Sequence, residues 1–285
     1  MNSFEQQMVL VDLKLAQRKD DGKYTTFKYA RKAMYDYLWF DVPSLMECRG
    51  HVYDTHTQEI VQAAPRKSFN YLECGWWDGV PLDTSVKMFK KINGYMACAT
   101  IHDGELVVST TGSTTSEYAN WAMQLLKDDI EKFGSDLDSE HTTLFEVVVP
   151  QDPHIVDERM GLHMLGYRNK KTSVFTPYGN SFECSLSDAL ALAEEDTGEG
   201  FMVYKEGVGF DDCCKIKTPY YIGKKKLMRM TKKNVDLMYN NTDVFINMLP
   251  DMWKHVPELI VWDNTHDEWL EMSAQDRRKY LEGVV

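Results

Sequence analysis

A lysine followed two residues later by a small polar side chain and then by glycine is a pattern used by covalent nucleotide-binding nucleophiles. Lys91-Ile92-Asn93-Gly94 has that form. An amine attacks phosphorus only without its extra proton, and an ordinary lysine has a pKa of about 10.4. Such chemistry therefore needs cations or a metal ion close to the nucleophile. Several residues are of the right type. Lys215 and Lys217 alternate along one apolar run, so both point to one side of a strand. Glu146 sits in an otherwise apolar stretch, 144–150, and Glu199 adjoins Gly200 at the start of another. Each has an ordinary structural role as well: a solvated lysine at a strand end, an acid on an edge strand, the polar face of a half-buried strand. Glu199 also closely follows Glu194-Glu195-Asp196, which reads as a surface loop.

The elements that would position these residues alternate in period. Residues 86–90 read as a short strand leading into Lys91. Residues 95–101 and 106–110 then form a hairpin around His102-Asp103-Gly104-Glu105. Thr114 and Glu117 have capping-box spacing for a helix whose apolar face is Ala119, Ala122, Met123, Leu126, Ile130 and Phe133, with Gly134 placed to end it. Residues 144–150 and 160–167 read as strands, and 201–204 with 214–217 as a strand pair around a glycine-containing turn. After about residue 224 the pattern becomes helical, with Ser273 capping a final helix near 274–282. A soft boundary is expected near 220–230, giving domains of 1–224 and 225–285. Within the second, Lys224, Lys225, Lys226, Arg229, Lys232 and Lys233 read as a solvated charged surface, and Trp253, Trp262 and Trp269 as core in preference to base-stacking platforms.

Composition narrows the classes. The chain has 285 residues, 43% hydrophobic and 12% aromatic, enough for a sizeable core. No apolar run approaches the roughly 18 residues of a membrane span, and the N-terminal residues lack a basic, then apolar, signal pattern. A cytoplasmic protein without membrane contact is expected. Six cysteines lie at 48, 74, 98, 184, 213 and 214 without a C-x-x-C pair, which points to reduced thiols and away from a zinc ribbon. A net charge of −12 argues against a wholly basic coat but leaves room for a local basic groove.

Taken in order, the motifs resemble those of the covalent nucleotidyltransferases, the polynucleotide ligases and messenger-RNA capping enzymes. Lys91-Ile92-Asn93-Gly94 resembles their K-x-D-G motif, Glu199-Gly200-Phe201-Met202-Val203 their E-G-hydrophobic motif, and Lys215-Ile216-Lys217 their final K-x-K motif. Within that superfamily the chain is most similar to the T-even bacteriophage RNA ligase. Glu47-Cys48-Arg49-Gly50, Pro65-Arg66-Lys67-Ser68-Phe69-Asn70, Phe145-Glu146 with Pro150 and His154-Ile155-Val156, and Lys215-Ile216-Lys217-Thr218-Pro219-Tyr220-Tyr221 all resemble elements of that family. The resemblance spans residues 25–222.

The resemblance implies an α+β fold: an adenylation domain of antiparallel sheets followed by a small helical subdomain. It implies an ATP-dependent ligase, acting as a monomer, that joins RNA 3′-hydroxyl and 5′-phosphate ends through a lysine–AMP intermediate on Lys91, with transfer-RNA repair as a role and the host cytoplasm as the location of a phage-encoded enzyme. Arg49, Lys67, Asn93, Gly94, Glu146, Lys215 and Lys217 would bind ATP. Glu199 would bind Mg²⁺, and Glu146 either the metal or the ribose. Two departures stand out. Asn93 replaces the usual aspartate, keeping hydrogen-bonding ability without charge. The stretch Ser109-Thr110-Thr111-Gly112-Ser113 matches one that usually carries lysines, so an RNA or phosphate contact is expected to be absent there. Two alternatives remain. A DNA ligase or capping-type enzyme is disfavoured by a tail that reads as helical and not as an OB-fold. A non-catalytic nucleic-acid-binding protein on the same fold draws its support from Asn93.

Overall fold

Period-two alternation of apolar and polar residues builds three sheets in the computed structural model, which describes residues 3–152, 154–205 and 212–284. In chain order the strands are β1 (Ala16–Asp20), β2 (Tyr24–Tyr29), β3 (Arg49–Asp54), β4 (Ile60–Gln62), β5 (Phe69–Asn70), β6 (Ser85–Lys90), β7 (Tyr95–His102), β8 (Glu105–Thr110), β9 (His141–Val148), β10 (Gly161–Asn169), β11 (Phe175–Pro177), β12 (Ser181–Ser185), β13 (Gly200–Lys205) and β14 (Cys213–Lys217). The first sheet has the order β1-β2-β3-β4, the second β12-β6-β13-β14-β5 and the third β11-β10-β9-β7-β8. Pairing is antiparallel except between β14 and the two-residue β5. The turn expected between the strands at 201–204 and 214–217 lies in 206–211, outside the described residues.

Each sheet buries one face on its own apolar cluster. Phe4, Phe27 and Tyr53 meet edge to face behind the first sheet. Val86, Met88, Val203 and Ile216 pack under the helix Leu186–Glu195, and Ala97, Phe145 and Val147 under the helix Glu117–Asp128. Glu194 and Glu195 thus end a helix, not a surface loop, although both are exposed.

The helix beginning at Glu117 is capped by Ser116, whose Oγ accepts the Ala119 N–H at 3.2 Å; Thr114 lies too far before it to serve. The helix also stops at Asp128, because Asp129 leaves helical geometry, and Ile130–Phe133 forms a separate turn. Gly134 follows that turn in ordinary right-handed geometry.

The helical region begins with Pro219–Met228, earlier than residue 224, and ends with Ala274–Val284, where Ser273 Oγ accepts the Asp276 N–H at 3.1 Å. Trp253 and Trp269 are fully buried in its core together with Ile155 and Val156, which arrive from the segment after β9. Trp262 is 88% exposed, so it does not share the core role expected of all three. Lys224 is likewise no surface residue: it is buried and paired with Glu282 at 3.0 Å. Among the described residues no helix is long and apolar enough to cross a membrane. Replacing Trp269 by alanine is expected to cost about 3–5 kcal/mol, the range for truncating a large buried aromatic. Urea unfolding checks this, with a midpoint equal to wild type counting against it.

Candidate active site

Strand register gathers residues that are far apart in sequence. Lys91 follows the last residue of β6, and its N–H donates to the Gly200 carbonyl at 2.8 Å. Gly200 starts β13 and lies opposite Lys217 at the end of β14. Lys91, Glu199 and Lys217 therefore meet at one end of the second sheet. Two residues earlier on β14, Lys215 aligns with Asn70 of β5 and so brings the 65–70 segment alongside.

Two glycines permit this close assembly. A Cβ on Gly94 would lie 2.4 Å from the Val147 carbonyl oxygen, and one on Gly200, at φ +131°, would lie 2.0 Å from the Ile216 oxygen. The loop 91–94 thus runs from the second sheet onto β7 of the third, tight against β9. Between the sheets lies a cleft of about 1170 Å³, lined by every residue expected at the site: Arg49, Lys67, Lys91, Asn93, Gly94, Glu146, Glu199, Lys215 and Lys217.

Glu199 is 4% exposed, and its carboxylate accepts from Lys91, Lys217 and Asn93 and interacts with Tyr221. Lys91 Nζ lies 2.9 Å from Oε2, Lys217 Nζ 3.2 Å from Oε1, and Asn93 Nδ2 donates to Oε2 at 3.0 Å. Burial alone would raise the Glu199 pKa, but the Lys91 and Lys217 charges and their hydrogen bonds hold it below the usual value. The other end of the Asn93 amide is equally committed: Oδ1 accepts the N–H groups of Ile155 at 2.8 Å and Val156 at 3.2 Å. A carboxylate would keep those two bonds but could not donate to Glu199. The amide fits a position that must accept on one side and donate on the other.

Glu146 occupies the middle of β9, flanked by β7 and β10, and is buried instead of lying on a solvated edge. Its Oε1 accepts the Gly94 N–H at 3.0 Å. Burial, reinforced by the Glu199 charge and opposed by Lys91, pushes its pKa up to about 7. Across the cleft the half-buried Lys215 is held down at about 7 by burial and by the Lys67 and Arg49 charges. Lys67 is lowered by burial too, against the pull of Glu73 at 3.5 Å, and its Nζ sits 4.2 Å from the Phe69 ring centroid. Arg49 Nη1 approaches Met96 Sδ at 3.7 Å.

Other cleft residues carried weaker sequence signals. Tyr221 receives Lys217 Nζ over its ring at 4.6 Å and Lys225 Nζ at 5.6 Å. Lys225 and Arg229, from the basic cluster, both line the cleft. Behind the cleft lining, Glu158 accepts the Asn93 N–H at 3.2 Å from a polar loop with no motif to mark it.

Among the described residues no group of three or more His, Cys, Asp or Glu is placed to hold a metal ion. Glu146 and Glu199 still suit Mg²⁺, which commonly takes one or two carboxylates and completes its shell with substrate phosphates and water. The concentration of cations on the opposite wall suits a polyphosphate.

No protein-family model and no curated protein sequence matches the chain. Solved structures do. An archaeal ATP-dependent RNA ligase superposes with a TM-score of 0.54 at 14% identity, covering 98% of this chain and 76% of that one. A second form of an archaeal ATP-dependent RNA ligase gives 0.53 at 14% identity, with 98% and 75% covered. A putative ATP-dependent DNA ligase from Aquifex aeolicus gives 0.51 at 15% identity, again covering 98% and 75%. The fold is that of the nucleotidyltransferase ligases.

Two outcomes follow from the electrostatics. Asn93→Asp would set two carboxylates about 3.0 Å apart. It is expected to destabilise the protein by about 1–3 kcal/mol at pH 8, and less at pH 5 where a proton can be shared. Urea unfolding at both values tests this; equal losses would refute the carboxylate clash. Glu146 has its folded pKa raised from 4.5 to about 7, so its contribution is full below pH 4.5 and is lost as pH rises through 7. That loss is on the order of 3 kcal/mol, from about 1.36 kcal/mol per unit. Glu146→Gln should remove it, and an unchanged pH profile of stability would show that Glu146 is not its source.

Proposed function

We propose that this chain is an ATP-dependent RNA ligase that joins RNA 3′-hydroxyl and 5′-phosphate ends through a lysine–AMP intermediate. The observation that carries the proposal is Lys91 in the cleft, bonded to Glu199 beside Lys217, with Lys215, Lys67 and Arg49 lining the same cleft. The shared fold of RNA and DNA ligases supports it.

In the first step the Lys91 amine attacks the α-phosphorus of ATP, a phosphorus–nitrogen bond forms and pyrophosphate leaves. AMP then passes to an RNA 5′-phosphate, and the 3′-hydroxyl of a second end attacks that activated phosphate to expel AMP. Glu199 orients the Lys91 side chain, with Asn93 and Lys217 fixing Glu199 in turn. Lys215, Lys67 and Arg49 offset the charge of the phosphates and of the leaving group. A divalent cation such as Mg²⁺, held by Glu199 and Glu146, would add Lewis-acid stabilisation of the same oxygens. Repair of cleaved transfer RNA by a monomer, and a division into an adenylation domain at 1–224 and a helical subdomain at 225–285, belong to the same proposal. The choice of RNA over the alternative of DNA rests on the order of the motifs, since an RNA ligase and a putative DNA ligase each cover 98% of this chain. The complete hydrogen bonding of Asn93 weakens the case for a non-catalytic binding protein, because the substitution leaves the site assembled.

Incubation with labelled ATP and Mg²⁺ followed by denaturing electrophoresis should give a labelled protein band. Lys91→Ala should abolish it, and Lys215→Ala or Lys217→Ala should reduce its rate by roughly 100-fold, the usual cost of losing one electrostatic contact to a developing charge. Undiminished labelling of Lys91→Ala overturns the nucleophile. Sealing of nicked DNA in preference to single-stranded RNA overturns the substrate.

A further inference from the structure

The cleft continues into a smaller recess of about 430 Å³ lined by Gln17, Arg18, Lys19, Thr26, Lys28 and Gly112; Lys28 and Gly112 line both. Antiparallel pairing of β1 with β2 places Gln17 opposite Lys28 and Lys19 opposite Thr26, so these four share one face of the first sheet. That face looks onto the 110–113 stretch. Lys19 Nζ donates to Ser113 Oγ at 2.6 Å. Lys28 lies over Gly112, where an added Cβ would be 3.4 Å from Lys28 Cδ and 3.8 Å from its Nζ. No carboxylate pairs with Lys28 among the described residues, and Arg18 turns instead to Asp20.

Thr26 adds an independent observation. It is 2% exposed and lines the recess, yet its Oγ1 has no hydrogen-bond partner. A buried hydroxyl without a partner is costly and calls for an explanation. Two ammonium groups with free N–H bonds and one unsatisfied hydroxyl make a set of donors matched to an oxyanion.

We propose that Lys19, Lys28 and Thr26 form a phosphate subsite that holds a backbone phosphate of the polynucleotide beside the cleft. Two lysines of the first sheet thus set their charge against the 109–113 stretch, which carries none of its own. The polynucleotide identity of the ligand rests on the ligase proposal, while the subsite itself rests on geometry alone.

Binding of a fluorescent 5′-phosphorylated RNA oligonucleotide, measured without ATP across a salt series, tests it. Lys28→Ala and Lys19→Ala should each raise Kd about tenfold and lower the salt slope by about one, the loss of a single phosphate contact. Lys28→Arg should bind like wild type, Thr26→Val should weaken binding at unchanged salt slope, and Lys91 labelling at saturating ATP should persist in all four. Unchanged Kd in both alanine variants overturns the proposal. Reduced labelling at low ATP with unchanged oligonucleotide binding also overturns it, assigning the subsite to the nucleotide's own phosphates. Lysine-dependent RNA binding by a wild-type protein that never labels would uphold the subsite and remove the ligase assignment instead.

Discussion

The site is organised around one buried carboxylate. Glu199 is held by Lys91, Lys217 and Asn93, which come from the ends of two other strands and from the loop between two sheets. An acid this deeply buried is costly unless its oxygens are paired and hydrogen-bonded. Lys91, Lys217 and Asn93 meet that condition together only when β6, β13 and β14 keep their register. A slip of one residue in β14 would turn Lys217 to the opposite face of the sheet and leave Glu199 one donor short. The same contact that fixes the sheet also aims the Lys91 amine into the cleft.

Around that carboxylate, like charges are set close together on both walls. Glu146 is driven towards its neutral form by burial and by Glu199, and Lys215 towards its neutral form by burial, Lys67 and Arg49. Two acids in neighbouring environments have thus been pushed apart in pKa, an arrangement common where groups must act on a substrate. Structural stability alone gives no reason to crowd three cations along one wall. Phosphates facing that wall would relieve its repulsion.

The helical region contributes on both scales. Its core recruits Ile155 and Val156, and the backbone N–H groups of those two residues hold the Asn93 amide. Packing in the helices is therefore connected to the 91–94 loop through the Asn93 side chain. The region also supplies Tyr221, Lys225 and Arg229 to the cleft wall. Its tryptophans divide by position: Trp253 and Trp269 build the core, whereas Trp262 projects into solvent.

Much of the site was legible in sequence because its parts obey local rules. Period-two alternation put Lys215 and Lys217 on one face, the turn at Asp103-Gly104 defined the hairpin after Lys91, and the order of motifs named nine of the residues that line the cleft. Local rules failed where two signals competed for one role, as when Ser116 and not Thr114 capped its helix, and where burial depended on distant neighbours, as at Glu146 and Lys224. The fit of Asn93 could not be read from its type at all. It follows from simultaneous contact with Glu199, just before β13, and with backbone amides beyond β9, separated from it by 106 and 62 residues. Sequence determined which chemical groups exist and which face of a strand carries each, since those depend on residue type and a two-residue period. Tertiary structure decided which groups meet, because hydrogen bonds and charges act over a few ångströms of space whatever the distance along the chain.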